Sequence, residues 1–261
     1  YDCNHNNILG NAILDYDYSA IFLDDSDYNT IDNNVLQNCN AGVSVYTSDR
    51  NNITHNIICN HYEYALKLRT SDKNIIKFNE ISGQTKDGVI IEWSDENIIA
   101  YNNIAHNNEV GIKIEEHSDD NLIYHNNLIN NGQNAIDDSY NLYSPNIWDN
   151  GYPSGGNYWD DYNGTDLYQG VDQDIAGSDG IGDTPYNISG GNNRDRYPLI
   201  NPIIGNPPNK PINLSPSNNS TNISINPILS VVVSDPDNDT IDVFFYNALN
   251  DELIGSINNI N

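Results

Sequence analysis

The sequence predicts an all-β fold, a right-handed, single-stranded parallel β-helix built from coils of about 23 residues. Two observations carry this prediction. Asn makes up about one residue in every five or six, far above its usual share, and it favours turns because it tolerates the left-handed backbone conformation. In addition, an Asn recurs every 22 to 24 residues, at Asn6, Asn29, Asn51, Asn74, Asn97 and Asn121.

Each repeat has the same internal order. An aliphatic residue follows the first Asn by two positions, a second Asn follows by five, and another aliphatic residue by seven. A short alternating strand comes next, such as Ala65-Leu66-Lys67-Leu68, and a Ser-Asp pair closes the unit. If each unit is one coil, equivalent residues stack ~4.8 Å apart. The aliphatic residues then form ladders inside, and the Asn side chains form hydrogen-bonded ladders at the corners.

A leucine-rich repeat is the competing solenoid with this period. It needs a Leu-rich consensus and often a helix in each repeat. Ile dominates here, and no segment shows a sustained 3.6-residue pattern, so the β-helix is favoured.

The two ends of the solenoid are expected to differ. The chain begins at Tyr1 without Met and Asn6 already opens a full coil, so we expect a fragment that has lost coils upstream. Near the other end, Asp138 stands where the sequence should supply the next member of an aliphatic ladder formed by Leu23, Val45, Leu68, Ile91 and Ile114. The coils are therefore predicted within residues 1–145, stopping near Asp138.

An acidic, Gly-rich segment follows at residues 146–204. It contains Trp148, Tyr158 and Trp159 as large side chains among glycines. The open end of a β-helix is a sheet edge that has to be covered. We predict that this segment caps the last coil.

The composition changes again from Gly205. Residues 205–212 have the composition of a Pro-rich linker. Two strand-like runs at 225–233 and 241–246 then flank an acidic turn, as at the start of an immunoglobulin-like or fibronectin-like β-sandwich. Such a domain needs about 100 residues, so residues 213–261 are predicted to hold only its beginning.

The repeats resemble the short β-helix repeats of carbohydrate-binding proteins and sugar hydrolases. The series Trp-Asp-Asn-Gly, Gly-Gly-Asn-Tyr-Trp, Asp-Gly-Ile-Gly-Asp-Thr-Pro-Tyr and Tyr-Pro-Leu resembles the end of NosD-like proteins, which are common on archaeal cell surfaces. The resemblance spans roughly residues 6–203 and implies an exported surface protein. The family's role in copper-site maturation is not expected here, because Met is absent and the His residues are scattered.

The charge excludes two classes of partner. The formal net charge is −27 and the pI is about 4.1, and such a surface repels nucleic acid and anionic membranes. No stretch approaches the ~20 apolar residues of a membrane span. Divalent cations, cationic partners or solubility in salt are the uses that this surface favours.

Cysteines and sequons bear on the compartment. Cys3, Cys39 and Cys59 allow at most one disulfide and match no zinc motif, so we predict partly buried free thiols. Five Asn residues fit the N-glycosylation sequon and favour an extracellular location: Asn52, Asn163, Asn187, Asn222 and Asn238.

A strip of charge is predicted on the outer side of the alternating strands, at Lys67, Arg69, Glu92, Lys113 and Glu115. Glu92 and Glu115 should lie one coil apart, within the range of a retaining glycosidase pair, with Arg69 placed to bind an acidic sugar. Tyr46 and Trp93 would offer stacking faces. The alternative is ion pairing on a solvated sheet, of Arg69 with Glu92 and of Lys113 with Glu115.

Four rings precede the second Asn of their repeats, at His55, Phe78, Tyr101 and His125. They are predicted to stack on one corner. A packing ladder is favoured over a metal site, because Phe and Tyr separate the two His residues by three coils, ~14 Å.

Aspartates alternate with glycines between residues 172 and 183. Asp172, Asp174, Asp179 and Asp183 resemble a loop that wraps Ca²⁺ in oxygen ligands, although the closing Glu of an EF-hand is missing. The alternative is a series of Asx-turns without an ion. A weaker calcium candidate contains Asp235, Asp237 and Asp239.

Three functions follow from these features. The first is a non-catalytic extracellular surface or matrix protein, a rigid rod for adhesion, carbohydrate binding or assembly with other surface proteins. The second is a polysaccharide lyase or glycoside hydrolase that uses Glu92, Glu115 and Arg69. The third is a self-assembling filament or layer subunit that pairs through a coil end or the C-terminal domain. The first is preferred, because no dense catalytic constellation appears.

Overall fold

The computed structural model describes residues 3–139, 145–205, 211–217, 220–221, 227–235, 241–246 and 253–260. The chain divides into two compact units, Tyr1–Ile203 and Ile204–Asn261. The described residues form strands and turns without an α-helix, as predicted for an all-β fold.

The first unit is a parallel β-helix in which each coil gives one strand to each of three sheets; strands are numbered along the chain. The first sheet contains Asn7–Leu9 (β1), Thr30–Asp32 (β4), Asn52–Thr54 (β7), Ile75–Lys77 (β10), Ile98–Ala100 (β13) and Leu122–Tyr124 (β16). The second contains Ala12–Leu14 (β2), Val35–Gln37 (β5), Ile57–Cys59 (β8), Glu80–Ser82 (β11), Asn103–Ala105 (β14), Asn127–Ile129 (β17) and Tyr158–Trp159 (β19). The third contains Ser19–Asp24 (β3), Ala41–Tyr46 (β6), Leu66–Arg69 (β9), Val89–Glu92 (β12), Val110–Glu115 (β15) and Gln133–Asp138 (β18).

Aliphatic side chains fill the interior as continuous ladders, which confirms the prediction. In the first sheet Ile53 lies opposite Ile76 in parallel register. Burying one such side chain stabilises the fold by about 1.5–3 kcal/mol, and from the second coil onward this ladder is fully buried at Ile31, Ile53, Ile76, Ile99 and Ile123.

Asn side chains join each coil to the next at two corners, as predicted. Asn79 Oδ1 accepts the backbone N–H of Asn56 at 2.9 Å. Its Nδ2 donates to the carbonyl oxygens of Ile53 at 2.8 Å and Lys77 at 3.0 Å, and to Oδ1 of Asn102 at 3.0 Å. One buried amide thus satisfies backbone groups that the strands leave unpaired where they turn.

The coils continue beyond the end that the sequence predicted. Asn146 and Asn157 extend the two Asn ladders, accepting the backbone N–H groups of Asn121 at 3.0 Å and Asn126 at 3.1 Å. Strand β19 adds to the second sheet beside β17. The segment assigned to the cap therefore begins as a further partial coil.

The register at the end of the third sheet also differs from the expectation. Asp137, and not Asp138, lies opposite Ile114. The loop before β18 is one residue shorter than the loop before β15, so a count at constant spacing places the ladder one residue too late. Asp137 is buried and hydrogen-bonded to the cap.

The four rings form the predicted ladder, in which the first two pairs are stacked and the last meets edge-to-face. Ring centroids are 5.1 Å apart for His55 and Phe78, 5.3 Å for Phe78 and Tyr101, and 4.9 Å for Tyr101 and His125. All four residues have a positive φ, between 52° and 58°. Stacking between coils offsets part of the cost of this left-handed backbone conformation.

A third corner ladder follows the second sheet and is not apparent from the sequence. The N–H of Cys39 donates to His61 Nδ1 at 3.1 Å, and the N–H of His61 donates to Gln84 Oε1 at 2.7 Å. Asn107 and Asn131 continue the series. Burial lowers the pKa of His61 to about 4, so the ring stays neutral and keeps its acceptor nitrogen.

The cap is held by buried pairs of indole and carboxylate groups. Trp148 Nε1 donates to Asp137 Oδ2 at 3.0 Å, and Trp159 Nε1 donates to Asp195 Oδ2 at 2.9 Å. Two short antiparallel pairs complete it: Tyr168–Gln169 (β20) with Ile175–Ala176 (β21), and Tyr186–Asn187 (β22) with Arg194–Asp195 (β23).

The described strands of the second unit form two small antiparallel sheets. One pairs Ile212–Ser215 (β24) with Ser230–Val232 (β25), and the other pairs Ile241–Tyr246 (β26) with Leu253–Ile260 (β27). That residues 213–261 begin an immunoglobulin-like sandwich stays a prediction.

Candidate functional site

The predicted charged strip lies on the outer face of the third sheet. Side chains alternate along a strand, so Leu66 and Leu68 are buried while Lys67 and Arg69 reach outward. The register places Arg69 beside Glu92, and Glu92 beside Glu115 of the next coil. The structure therefore brings the strip residues together: Lys67, Arg69, Glu92, Lys113 and Glu115.

The strip is tied by ion pairs within the sheet. Lys67 Nζ lies 2.6 Å from Glu92 Oε1, whereas Arg69 Nε lies 3.8 Å from Glu92 Oε2. Lys113 Nζ lies 2.7 Å from Glu115 Oε1. The ion-pairing alternative predicted Arg69 as the partner of Glu92. The closer partner is Lys67, whose side chain reaches Glu92 diagonally across the sheet. The Lys67 and Glu92 side chains are only 15% and 17% exposed, so solvent screens this pair less than a surface pair.

A half-buried tyrosine, Tyr64, and a buried aspartate, Asp87, extend the strip, and sequence reasoning missed both. Burial raises the pKa of Tyr64 to about 12, and its hydroxyl lies 3.1 Å from Ser44 Oγ. Burial also raises the pKa of Asp87, against the hydrogen bond from Val110 N–H and the charge of Lys113. Both stand in loops before strands, outside the alternating pattern that revealed the strip.

The two predicted stacking residues lie apart. Tyr46 is opposite Arg69 in the register, and its ring meets Phe22 edge-to-face at 5.3 Å. Trp93 stands two coils further on, at the corner after β12, and is 45% exposed. Its indole N–H donates to Glu116 Oε2 at 2.7 Å.

Comparison with known proteins assigns the chain to a family. The model of the family described as "Periplasmic copper-binding protein (NosD)" matches residues 1–164. The chain belongs to the NosD family. Among solved structures, a mutant of the periplasmic alginate epimerase AlgG matches 52% of this chain and 37% of that one, with 20% identity and a TM-score of 0.31. The NosD-family chain thus spans well under half of that structure, and it matches no curated protein.

The copper named in the NosD description does not fit the described residues. Among them no group of three or more His, Cys, Asp or Glu side chains is placed to hold a metal ion. Met is absent from the sequence. The buried His61 ring, whose pKa is lowered by burial, already uses Nδ1 to accept the backbone N–H of Cys39. Cys39 is buried and Cys59 half-buried, both as free thiols.

The predicted calcium segment uses its carboxylates in turns. Asp183 accepts hydrogen bonds from Thr165 Oγ1 at 2.8 Å and from the N–H groups of Leu167 and Tyr168. Asp179 accepts from the N–H of Ile181 at 3.1 Å. Asp172 and Asp174 are exposed. Calcium binding here stays a prediction.

The remaining predicted positions lie partly inside and partly outside the described residues. Asp237, Asp239, Asn222 and Asn238 lie outside the described residues, whereas Asp235 lies within them. The described sequons are exposed, at Asn52, Asn163 and Asn187. The described part of the chain contains no helix that is long and apolar enough to cross a membrane.

Proposed function

We propose that this NosD-family chain is a non-catalytic protein that binds carbohydrate along the outer face of its third sheet. The observation that carries the proposal is the pairing of Glu92 with Lys67 and of Glu115 with Lys113, at 2.6 and 2.7 Å. The face is therefore a nearly neutral surface of hydrogen-bonding groups within a protein of net charge −27.

This pairing disfavours glycosidase chemistry. The acid of a glycosidase pair has to carry a proton while its partner stays ionised. An ammonium group within hydrogen-bonding distance stabilises a carboxylate instead. Both Glu92 and Glu115 have such a partner, so neither is set apart as the acid.

The same face has what carbohydrate recognition requires. The side chains of Arg69, Lys113 and Glu115 are 55%, 30% and 30% exposed and present donors and acceptors for sugar hydroxyls. Aromatic rings at Tyr46 and Trp93 border them. A rigid sheet holds these groups without the ordering cost that a mobile loop would bring.

The compartment that we propose is the periplasm or the cell surface. The family description names a periplasmic protein, and three exposed sequons fit an exported chain. In this setting the rod would serve adhesion, either to glycans or to other surface proteins.

A polysaccharide-acting enzyme is the second candidate. It is favoured by one observation, the direct cross-coil register of Glu92 and Glu115 beside Arg69. In this alternative a substrate carboxylate would displace one of the lysine contacts and free a glutamate for chemistry.

The test is a glycan array followed by titration calorimetry and a turnover assay with the same polysaccharides. We expect saturable binding and no cleavage. The matched variants are Glu92→Gln on the strip and Glu80→Gln on the second sheet. Cleavage that Glu92→Gln abolishes and Glu80→Gln preserves would replace this proposal with the enzyme, and absence of all glycan binding would reject carbohydrate recognition.

A further inference from the structure

One corner beside the charged strip breaks the regular repeat. In four coils the Ser of the closing Ser-Asp pair donates to the carbonyl oxygen two residues before it, as Ser94 Oγ does to Glu92 O at 2.7 Å. In the next coil Ser118 Oγ donates to Glu115 O, three residues before it, at 2.7 Å. This corner therefore holds two residues, Glu116 and His117, where the others hold one.

The inserted corner is strained but ordered. Glu116 has φ 36° and His117 has φ 51°, a region that costs L-residues other than Asn and Asp roughly 1 kcal/mol or more each. Backbone hydrogen bonds nevertheless fix both residues, from Trp93 N–H to Glu116 O at 3.0 Å and from His117 N–H to Ser139 O at 2.9 Å. The other coils also place one residue of this corner in the left-handed region, such as Trp93 at φ 51°, so the second such residue is what sets this corner apart.

The insertion builds a cluster around Trp93. The hydrogen bond from the indole N–H to Glu116 Oε2 at 2.7 Å fixes the ring. The His117 ring lies 4.6 Å from the indole, at an interplanar angle of 44°. Within the described residues, Glu116 Oε1 accepts no hydrogen bond. A partly exposed apolar face thus stands beside a carboxylate oxygen and an imidazole.

We infer that Trp93, Glu116 and His117 form a subsite for an uncharged hexopyranose unit of a polysaccharide. The inference rests on the proposed function and names the ligand of the same surface. A pyranose ring has an apolar C–H face that packs on an indole, and its rim hydroxyls donate to a carboxylate with charge-assisted strength.

Charge selects the uncharged sugar. Glu92 and Glu115 each pair with a lysine, whereas Glu116 is hydrogen-bonded to the indole N–H of Trp93 and has no ion-pair partner among the described residues. A uronate or sulfated sugar stacked on Trp93 would meet the Glu116 carboxylate and the field of a protein of net charge −27.

The test uses tryptophan fluorescence and calorimetry with soluble dextran and mannan oligosaccharides, and with oligogalacturonate as the acidic probe. The chain has three Trp residues, of which Trp148 and Trp159 are buried, so a sugar-dependent emission shift reports Trp93. Trp93→Asn removes the ring yet suits the left-handed corner, whose φ is 51°. We expect at least about tenfold weaker binding of the neutral oligosaccharide.

Two further variants separate binding from folding. Tyr168→Asn removes a comparably exposed ring, 43% exposed, from the cap and should change affinity less than about twofold. Deletion of His117 restores the one-residue corner, and it should weaken binding about tenfold while the melting temperature stays equal or rises.

Each outcome decides the inference. Neutral sugar binding that Trp93→Asn and the His117 deletion both weaken supports it. Glycan binding that neither variant changes overturns the subsite and leaves the proposed function standing, as does binding of oligogalacturonate alone. If no glycan binds at all, the proposed function falls together with the subsite.

Discussion

The coils and the cap both bury polar side chains, but they bury different ones. At the Asn corners the coils use amides, and Asn79 both accepts from Asn56 and donates to Asn102. The cap uses carboxylates, and Asp195 accepts three hydrogen bonds, from Asn157 N–H, Trp159 Nε1 and Tyr197 N–H at 2.7, 2.9 and 3.0 Å. The two regions satisfy the same backbone with different chemistry.

The difference follows from donor and acceptor counts. An amide has both an acceptor and donors, so it accepts a hydrogen bond from one coil and donates another to the next. A ladder of amides can therefore continue from coil to coil without an end. A carboxylate has only acceptors when ionised, so donors converge on it and the series stops. Asn157 shows the change directly, because its N–H meets Asp195 where earlier members meet another Asn.

This solenoid therefore ends by changing the chemistry of its corner as well as by covering its core. Asp137 does the same at the first Asn ladder, where it accepts from Asn146 Nδ2 at 3.2 Å and from Trp148 Nε1 at 3.0 Å. The burial of Trp148 and Trp159 closes the core at the same point.

The largest expected effect comes from placing a cap-type group inside a coil. Ile76→Asp puts a carboxylate in the fully buried aliphatic ladder, where it finds none of the donors that Asp195 has. We expect a loss of about 5 kcal/mol, which lowers the melting temperature by about 10–20 °C. The control Ile76→Val should cost only about 1 kcal/mol. An unchanged melting curve for Ile76→Asp would contradict the assignment of the inner ladder.

Exchanging amide and carboxylate at Asn79 and Asp195 tests whether the two groups have different roles in the ladder. Asn79→Asp removes the donor to Ile53 O, Lys77 O and Asn102 Oδ1 and sets a charge against them, at about 3–4 kcal/mol. Asp195→Asn places an amide NH2 group against buried N–H donors and should lower the free energy of unfolding by about 1–3 kcal/mol. Denaturant titration measures both variants. If either exchange is neutral, the distinction between passing and ending the ladder does not hold.

The pH dependence should separate the two regions. Burial lowers the pKa of His61 to about 4 from 6.5, so its contribution is present above pH 6.5 and is lost as pH falls through about 4, by up to about 3 kcal/mol. Burial raises the pKa of Asp195 to about 7 from 3.8, against the hydrogen bonds from Asn157, Trp159 and Tyr197 that favour the ionised form. Its net contribution is therefore present below pH 3.8 and is lost as pH rises through about 7, above which the carboxylate is ionised and can only accept.

Two variants isolate these opposite slopes. His61→Gln keeps the ladder acceptor, because Gln84 serves the same position one coil later, and it should flatten the acid side of the stability curve. Asp195→Asn should flatten the side toward neutral pH. Unfolding monitored between pH 3.5 and 8 checks both, and parallel curves for the wild type and His61→Gln would refute the role given to the neutral imidazole.

The parts of this molecule that could be predicted are those that repeat identically. Asn79 and Ile76 recur with fixed spacing, so period alone reveals their ladders. The ladder of Cys39, His61 and Gln84 is equally regular in space, but different side chains supply the same acceptor, and a search for repeated letters does not find it.

The site shows the same limit. The period placed Glu92 beside Glu115 correctly, because register follows from spacing. It did not give Lys67 as the close partner of Glu92, since reach across a diagonal depends on side-chain length and rotamer. Asp195 is 38 positions from Asn157 and lies outside the repeats, so no local sequence pattern predicts that it ends the ladder.

The smallest expected effect concerns calcium at the cap segment of residues 172–183. Asp183 and Asp179 already accept backbone N–H groups, while Asp172 and Asp174 extend into solvent, so an ion would find only part of its six to eight oxygen ligands in place. Millimolar calcium should therefore raise the melting temperature by only about 2–4 °C, the shift that about 1 kcal/mol produces in a domain of this size. Asp179→Asn should remove this increase in melting temperature. Magnesium should not produce the increase in place of calcium, because magnesium demands stricter octahedral geometry. The measurement is thermal unfolding in calcium and in chelator, for the wild type and the variant. If chelator leaves the wild-type curve unmoved, these aspartates are turn residues, and the acceptor-only carboxylates that end the ladders are sufficient to hold the cap without an ion.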